Sequence, residues 1–403
     1  MRRDETTSMQ RAAFLSCLLL LVSCTRGGVS PALPGVSDAA QRQPLHREGA
    51  TYATIFSFKG SDGKEPDATL IRSSSELYGT TYAGGSRDDG TVFKISSSGT
   101  ANVLHSFKAG ADGALPLASL LDVNGSFYGT TVNGGGAGDE GVVYEIAASG
   151  VETIVHRFTG NPDGANPYSR LLESSGTLYG TTAGGGTNSA GTIFEISPSG
   201  AEKVLYAFAT NAHDASTPMA GLIDIAGTFY GTSAFGGSSC GSVGCGTVFT
   251  ITPSGTEKVL YSFKGGKNGS MPSSELVRVN GKLYGTTILG GTANAGTIFS
   301  VSTSGQQSVV YSFRGGASDG AQPQGVTNFG GTLYGTTSAG GTDDLGTIFS
   351  VTIAGTETLV HSFAGKSDGS MPRAGLRNGD GALYGTTALG GANNAGTVFS
   401  LTP

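Results

Sequence analysis

Seven times the chain spells a variant of F-x-G-x-x-D-G-x-x-P. This places Asp62, Asp112, Asp163, Asp214, Asn268, Asp319 and Asp368 each four residues before Pro66, Pro116, Pro167, Pro218, Pro272, Pro323 and Pro372. A repeated carboxylate of this kind admits two readings. As a turn residue it accepts a backbone N–H, the following Gly takes positive φ, and the Pro sets the entry to the next element. As one member of a ring around a channel mouth it would attract Ca²⁺ or sugar hydroxyls. The pattern lacks the closely spaced oxygen ligands of a dedicated Ca²⁺ loop, so no cofactor is expected, and Ca²⁺ is the one ion such a ring would admit.

A second acidic set lies between the recurrent "GG" and "GT" dipeptides, in tips reading "SRDD", "GAGDE", "GTNSA", "SSCGSVGC", "TANA", "TDDL" and "ANNA". Asp88, Asp89, Asp139, Glu140, Asp343 and Asp344 make this rim acidic, either as solvated tips or as contacts of a binding face whose frame is constant and whose tips vary. Cys240 and Cys245 sit in the one enlarged tip. A disulfide is the default for such a pair in an exported protein, and two thiols without a nearby His make a poor zinc site. His105, His156 and His361 take a position held elsewhere by Tyr206, Tyr261 and Tyr311, and His213 lies in the Asx loop. No nucleophile elbow, zinc-protease helix or Walker loop is present, and "GTTxxGG" precedes no helix that could hold a phosphate.

The elements that position these residues come from the repeat itself. "YGT" recurs at Tyr78, Tyr128, Tyr179, Tyr230, Tyr284, Tyr334 and Tyr384, at spacings of 50, 51, 51, 54, 50 and 50 residues. Each unit holds four short strand candidates, such as "SSELVRVN", "KLYGTTI", "GTIFSVS" and "QQSVVYSF", joined at their ends by turn dipeptides such as Asn280-Gly281 and Ser304-Gly305. Four antiparallel strands in about 50 residues, repeated seven times, predict an all-β, seven-bladed β-propeller over residues 51–403. Phase sharpens the expectation. Thr51–Phe58, "TYATIFSF", matches a fourth strand and the chain ends on a third, so the first segment completes the last blade and removes two bare edges. Gly79 and its equivalents stand in mid-strand, where Gly marks close approach; tight stacking of one blade on the next is the expected cause.

The seven "LYGTT..GG....GT[IV]F" units resemble the bacterial choice-of-anchor GloVer repeat, the Gloeobacter–Verrucomicrobia repeat family, across residues 51–403. The resemblance implies an exported protein held by one of several kinds of anchor, without an assigned activity. The chain has no Trp, so the tryptophans of quinoprotein and WD-type blades are missing and a quinone cofactor is not supported.

Composition and the amino terminus complete the reading. Net charge is −6 and the repeats carry no Lys/Arg cluster, which argues against nucleic acid as a partner. Arg2, Arg3 and Arg11 precede "AAFLSCLLLLVSC", the length of a signal h-region and too short for a mature span. The expected organisation is a signal peptide over 1–23, a lipidated Cys24 in the lipobox-like Leu21-Val22-Ser23-Cys24, and a flexible tether to residue 50; a plain secretory signal is the alternative. The protein is thus expected in the cell envelope, on the outer membrane or cell surface, or else secreted, and as a monomer. Its function would be to bind a polysaccharide or protein, or to act as a scaffold, through the loop-rich face. The alternative is an extracytoplasmic glycan hydrolase or lyase using rim carboxylates, which can meet across a channel without any linear motif.

Overall fold

The computed structural model describes residues 49–403, apart from 97–98, 198 and 211–212. The expected signal over 1–23, Cys24 and nearly all of the tether lie outside the described residues.

Seven antiparallel four-stranded sheets form the blades of a seven-bladed β-propeller. In blade 1 the strands are Ile71–Ser73, Glu76–Thr81, Thr91–Ile95 and Ala101–Ser106. The third strand is almost wholly buried and the fourth is the exposed one. Blade 7 is built from both ends of the propeller: Arg377–Gly379, Ala382–Thr387 and Thr397–Thr402 are joined by Thr51–Ser57, with Thr51 opposite Thr402 and Ser57 opposite Thr397. The closure read from the sequence phase is therefore present.

The mid-strand Gly is explained inside the blade rather than between blades. Gly79 lies directly across from Phe93 on the third strand. A Cβ there would stand 2.7 Å from Phe93 Cζ and 2.8 Å from Leu70 Cδ2 on the inner side. The same pairing recurs, with Gly180 under Phe194, Gly285 under Phe299 and Gly385 under Phe399. Seated over Gly, each ring reaches the preceding blade, where the Phe after the fourth strand packs against it at a steep angle. The pairs are Phe58–Phe93, Phe107–Tyr144, Phe158–Phe194, Phe208–Phe249, Phe263–Phe299, Phe313–Phe349 and Phe363–Phe399. Their centroids lie between 4.9 Å and 5.5 Å apart, the separation at which tilted aromatic pairs attract.

Three more contacts repeat at the junctions. The Gly of "GT" takes positive φ under the loop Pro of the next blade, as Gly90 does under Pro116 and Gly396 under Pro66. The first Thr of "GTT" donates to a carbonyl of the next blade's inner segment, for example Thr80 to Ala118 O at 3.1 Å and Thr336 to Ala374 O at 2.7 Å. The residue before each loop Pro donates its N–H to the preceding blade, as in Leu115 to Asp89 O and Glu65 to Ala395 O. This last bond requires positive φ at Glu65, Leu115, Asn166, Thr217, Met271, Gln322 and Met371, none of them Gly. Left-handed backbone at β-branched Thr217 is a true outlier, and it recurs because the same inter-blade bond recurs.

The inner strand is shorter than the eight-residue "SSELVRVN" suggests, since its ladder in blade 5 covers Val277–Val279. Pro272 has no N–H to give, and the carbonyls of this stretch are engaged by the preceding blade, as Ser274 O is by Thr232. Blade 6 departs, with one long strand Gly320–Phe329 interrupted at an irregularity between Pro323 and Val326.

Two outcomes follow. Gly285→Ala places a methyl 2.7 Å from Phe299 Cζ and is expected to cost about 1–3 kcal/mol in thermal or urea unfolding. Tyr144→Phe is expected to stabilise by about 1 kcal/mol, because the Tyr144 hydroxyl is fully buried with no partner; an unchanged or lower melting temperature would count against this account of the blade 2 core.

Candidate binding site at the channel mouth

The Asx positions lie beside the outer strands, at the blade junctions. Asp62 accepts the N–H of Lys59 at 2.7 Å, Asp214 that of Ala209 at 2.7 Å, Asp319 that of Arg314 at 2.9 Å and Asp368 that of Ala364 at 2.7 Å. Each of the last three also faces the aromatic donor of its own outer strand. Tyr206 donates to Asp214 at 3.0 Å, Tyr311 to Asp319 at 2.8 Å, and His361 Nε2 lies 3.0 Å from Asp368. Asp163 is bonded in the same way to Thr159 and His156, Asp112 lies 3.2 Å from His105, and Asn268 reaches Tyr261 at 3.5 Å. Turn chemistry is therefore what Asp62, Asp163, Asp214, Asp319 and Asp368 perform, and Tyr206 and Tyr311 take the place beside the carboxyl that His156 and His361 take in other blades.

The tips behave similarly. Asp88, Asp139 and Asp344 take positive φ and accept the N–H of Gly84, Gly134 and Gly340 at 2.6–2.8 Å. Asp88 also pairs with Lys64 at 3.2 Å, and the Gly84 N–H bond holds its carboxyl below the ordinary range. Asp89 moves the other way through partial desolvation and the Asp88, Asp112 and Asp139 charges, offset in part by Arg87. Glu140 is buried, whereas Asp343 is exposed. Cys240 and Cys245 form the disulfide, with Cα atoms 5.5 Å apart, and its sulfurs lie over Gly265 of the neighbouring loop.

A different set converges on the axis. The inner segments enter the channel from the loop-rich side immediately after the strained pre-proline residues, and three blades bring charged and aromatic groups together there. Arg373 of blade 7 reaches Asp67 of blade 1 at 3.1 Å and Glu65 at 3.5 Å. Tyr82 feels Glu65, Asp67 and Arg373, and Tyr168 of blade 3 feels Tyr82. Burial pushes the Tyr168 hydroxyl up to about 12 and raises that of Tyr82. The Asp67 side chain is only 8% exposed. Burial, opposed by Arg373 and reinforced by Glu65, lifts its carboxyl to about 6, and its Oδ1 is buried without a partner.

Deeper in the channel Arg170 of blade 3 pairs with Glu275 of blade 5, passing over blade 4 where the equivalent residue is Gly221. Arg377 of blade 7 is held below its usual range by desolvation and by the Arg170 charge. On the hairpin side a cleft of about 420 Å³ is lined by Leu121, Asp122, Asn124, Arg170, Leu172 and Glu173; the pairing of Arg170 with Glu275 already uses its cation.

Sequence reading did not single out Glu65, Asp67, Tyr82, Tyr168 or Arg373. The available signal was internal. The pre-proline residues are Glu, Leu, Asn, Thr, Met, Gln and Met, and those after the Pro are Asp67, Leu117, Tyr168, Met219, Ser273, Gln324 and Arg373, in units otherwise almost identical.

Removing the cation should expose the charge balance. Arg373→Ala leaves Asp67 buried and unpaired and is expected to destabilise by about 3 kcal/mol above pH 6. Asp67 has a raised folded pKa, so its contribution is best at acid pH and falls as pH rises. The loss should therefore shrink below about pH 5, and a pH-independent loss in melting temperature would contradict the pairing.

The chain is similar to several solved structures at low identity. A gluconolactonase of Xanthomonas campestris is 14% identical with a TM-score of 0.45, covering 93% of this chain and 99% of its own. An ancestral GH74 enzyme is 13% identical with a TM-score of 0.53, over 84% of this chain and 47% of the enzyme. The Trypanosoma rangeli sialidase in complex with the inhibitor DANA is 13% identical with a TM-score of 0.44, over 88% and 59%. No curated protein matches the sequence. The Gloeobacter/Verrucomicrobia repeat model matches residues 44–243 and 238–403, and the chain belongs to that family.

Proposed function

We propose that the protein is an exported binding module whose channel mouth takes a polysaccharide chain. The observation that carries this reading is where the repeats differ. Positions that build the blades repeat nearly unchanged, whereas the half-buried positions flanking the loop Pro differ from blade to blade. At blades 1, 3 and 7 they supply two carboxyls, Glu65 and Asp67, with Tyr168 and the Arg373 guanidinium, and Tyr82 of blade 1 joins them from outside the loop. Aromatic faces beside a few fixed polar groups suit a ligand that is apolar on one side and hydroxylated on the other. Three of the acidic tip residues, Asp88, Asp139 and Asp344, are occupied by their own turns, so the mouth is favoured over the rim. Export and a lipid anchor at Cys24 fit this role, because a tethered rigid ring would present the mouth outward. A disulfide is in keeping with an oxidising compartment.

A catalytic reading has one observation in its favour. Asp67, lifted to about 6, has the property of a general acid, and Glu65 is the carboxyl beside it. In that reading the protein is a glycan hydrolase or lyase.

The test is a glycan array probed with the 25–403 fragment, with and without Ca²⁺, followed by product analysis of each hit. Binding is expected to be saturable, to leave the glycan intact, and to weaken at least about tenfold on Tyr82→Ala or Tyr168→Ala, the scale of a lost aromatic contact. Substituting Asp343 should change nothing. Shortened glycan abolished by Asp67→Asn would establish the enzyme instead, and an array with no hit would remove the polysaccharide reading.

A further inference from the structure

At four junctions a Glu opens the outer strand of one blade and faces the Asx-loop Asp of the blade before it. The pairs are Asp112 with Glu152, Asp163 with Glu202, Asp214 with Glu257 and Asp319 with Glu357. In each, Glu Oε1 is fully buried with no hydrogen-bond partner. Two carboxylates that share a buried site cannot both be ionised without a large cost. The fifth junction supplies an internal control. There the same two positions hold Asn268 and Gln307, the neutral isosteres, and Gln307 Nε2 stands orphaned at the place of Glu Oε1. Where the repeat varies, this place thus holds two neutral side chains, and a carboxyl pair matches them in lacking a second negative charge only by keeping one proton, one O–H donating to one carboxylate.

We infer that each of these four junctions is held by a proton shared between the Glu of one blade and the Asp of its neighbour, making the ring a pH-sensitive assembly. His105, Asp112 and Glu152, and likewise His156, Asp163 and Glu202, bring donor atoms within 4.8 Å of one another. A cation is not the common explanation, because the orphaned Glu atom recurs beside Tyr206 and Tyr311, where no imidazole stands.

The groups facing each Glu are few. Glu152 meets Asp112, with Arg157 and Lys108 opposing, and His105 beside it. Glu202 meets Asp163, His156 and Glu195. Glu257 meets Asp214 and Tyr206. Glu357 meets Asp319, Arg314 and Tyr311. Desolvation first and the Asp charge second raise Glu152, Glu202 and Glu257 to about 7 and Glu357 to about 8. Folded values above the unfolded one mean that the native state binds more protons. The stabilisation is complete below about pH 4.5 and is lost as pH rises through 7 to 8.

The experiment uses the full chain and a variant carrying Glu152→Gln, Glu202→Gln, Glu257→Gln and Glu357→Gln, each Gln donating an amide N–H to its Asp. Melting temperature is followed from about pH 5 to pH 9, with infrared spectra of the carboxyl region at each pH. The native chain should lose at least about 3 °C more than the variant over that range, and a protonated-carboxyl band should persist at pH 7, where Asp67 is largely ionised, and vanish by pH 9 in the native chain alone. Parallel melting curves, or no such band, would overturn the inference. So would a melting temperature restored at pH 9 by Zn²⁺ and not in His105→Gln/His156→Gln, since a metal would then hold those junctions. If the variant fails to fold, the band in the native chain decides the matter.

Discussion

The rest of the structure depends on an aromatic ring seated over a glycine. Phe93 over Gly79 is possible only because no Cβ intervenes, and the ring can then be met by Phe58 from the neighbouring blade. One residue type thus settles both the thickness of a blade and its distance from the next. Repeating that pairing seven times fixes the curvature of the ring, as repeat folds in general propagate one nearest-neighbour interface.

The second layer of organisation is polar and equally periodic. Thr hydroxyls, pre-proline N–H groups and Asx loops each satisfy one buried group across or beside a junction, so the ring carries its hydrogen bonds where its apolar contacts are. The junction between blades 7 and 1 is the partial exception. Thr386 Oγ1 is buried without a partner there, although its equivalents donate to the next blade. The fourth strand of blade 7 also follows a different pattern, with Tyr52 stacked on His361 at 4.0 Å and donating to Asp368 O.

Most of the frame was legible in the sequence because its signals are local and repeated: "YGT" spacing, turn dipeptides, and the phase of Thr51–Phe58 against Thr397–Thr402. The role of mid-strand Gly was legible as close approach, but the partner was not, since Phe93 is adjacent only through strand pairing. The mouth was illegible for a related reason. Asp67 and Arg373 are 306 residues apart in sequence and meet only when the ring closes. The repeated Asp drew attention because it repeats, and repetition marks what the frame needs. Tyr82 and Tyr168 stand where the frame leaves the side chain free.

Ring closure also separates two timescales of assembly. Almost every strand pair joins residues of one repeat and can form while the rest of the chain is unstructured. The pair made by Thr51–Ser57 joins positions 340 to 351 residues apart. For a free chain, closing a loop of that length costs about 3 kcal/mol more entropy than closing a hairpin. That cost falls once stacked blades already hold the ends near each other, so the last blade is completed after its neighbours. Until then the edge of Thr397–Thr402 is open to a strand from another copy, and during synthesis the segment destined to cover it is the first of the propeller's strands to emerge and among the last to be used.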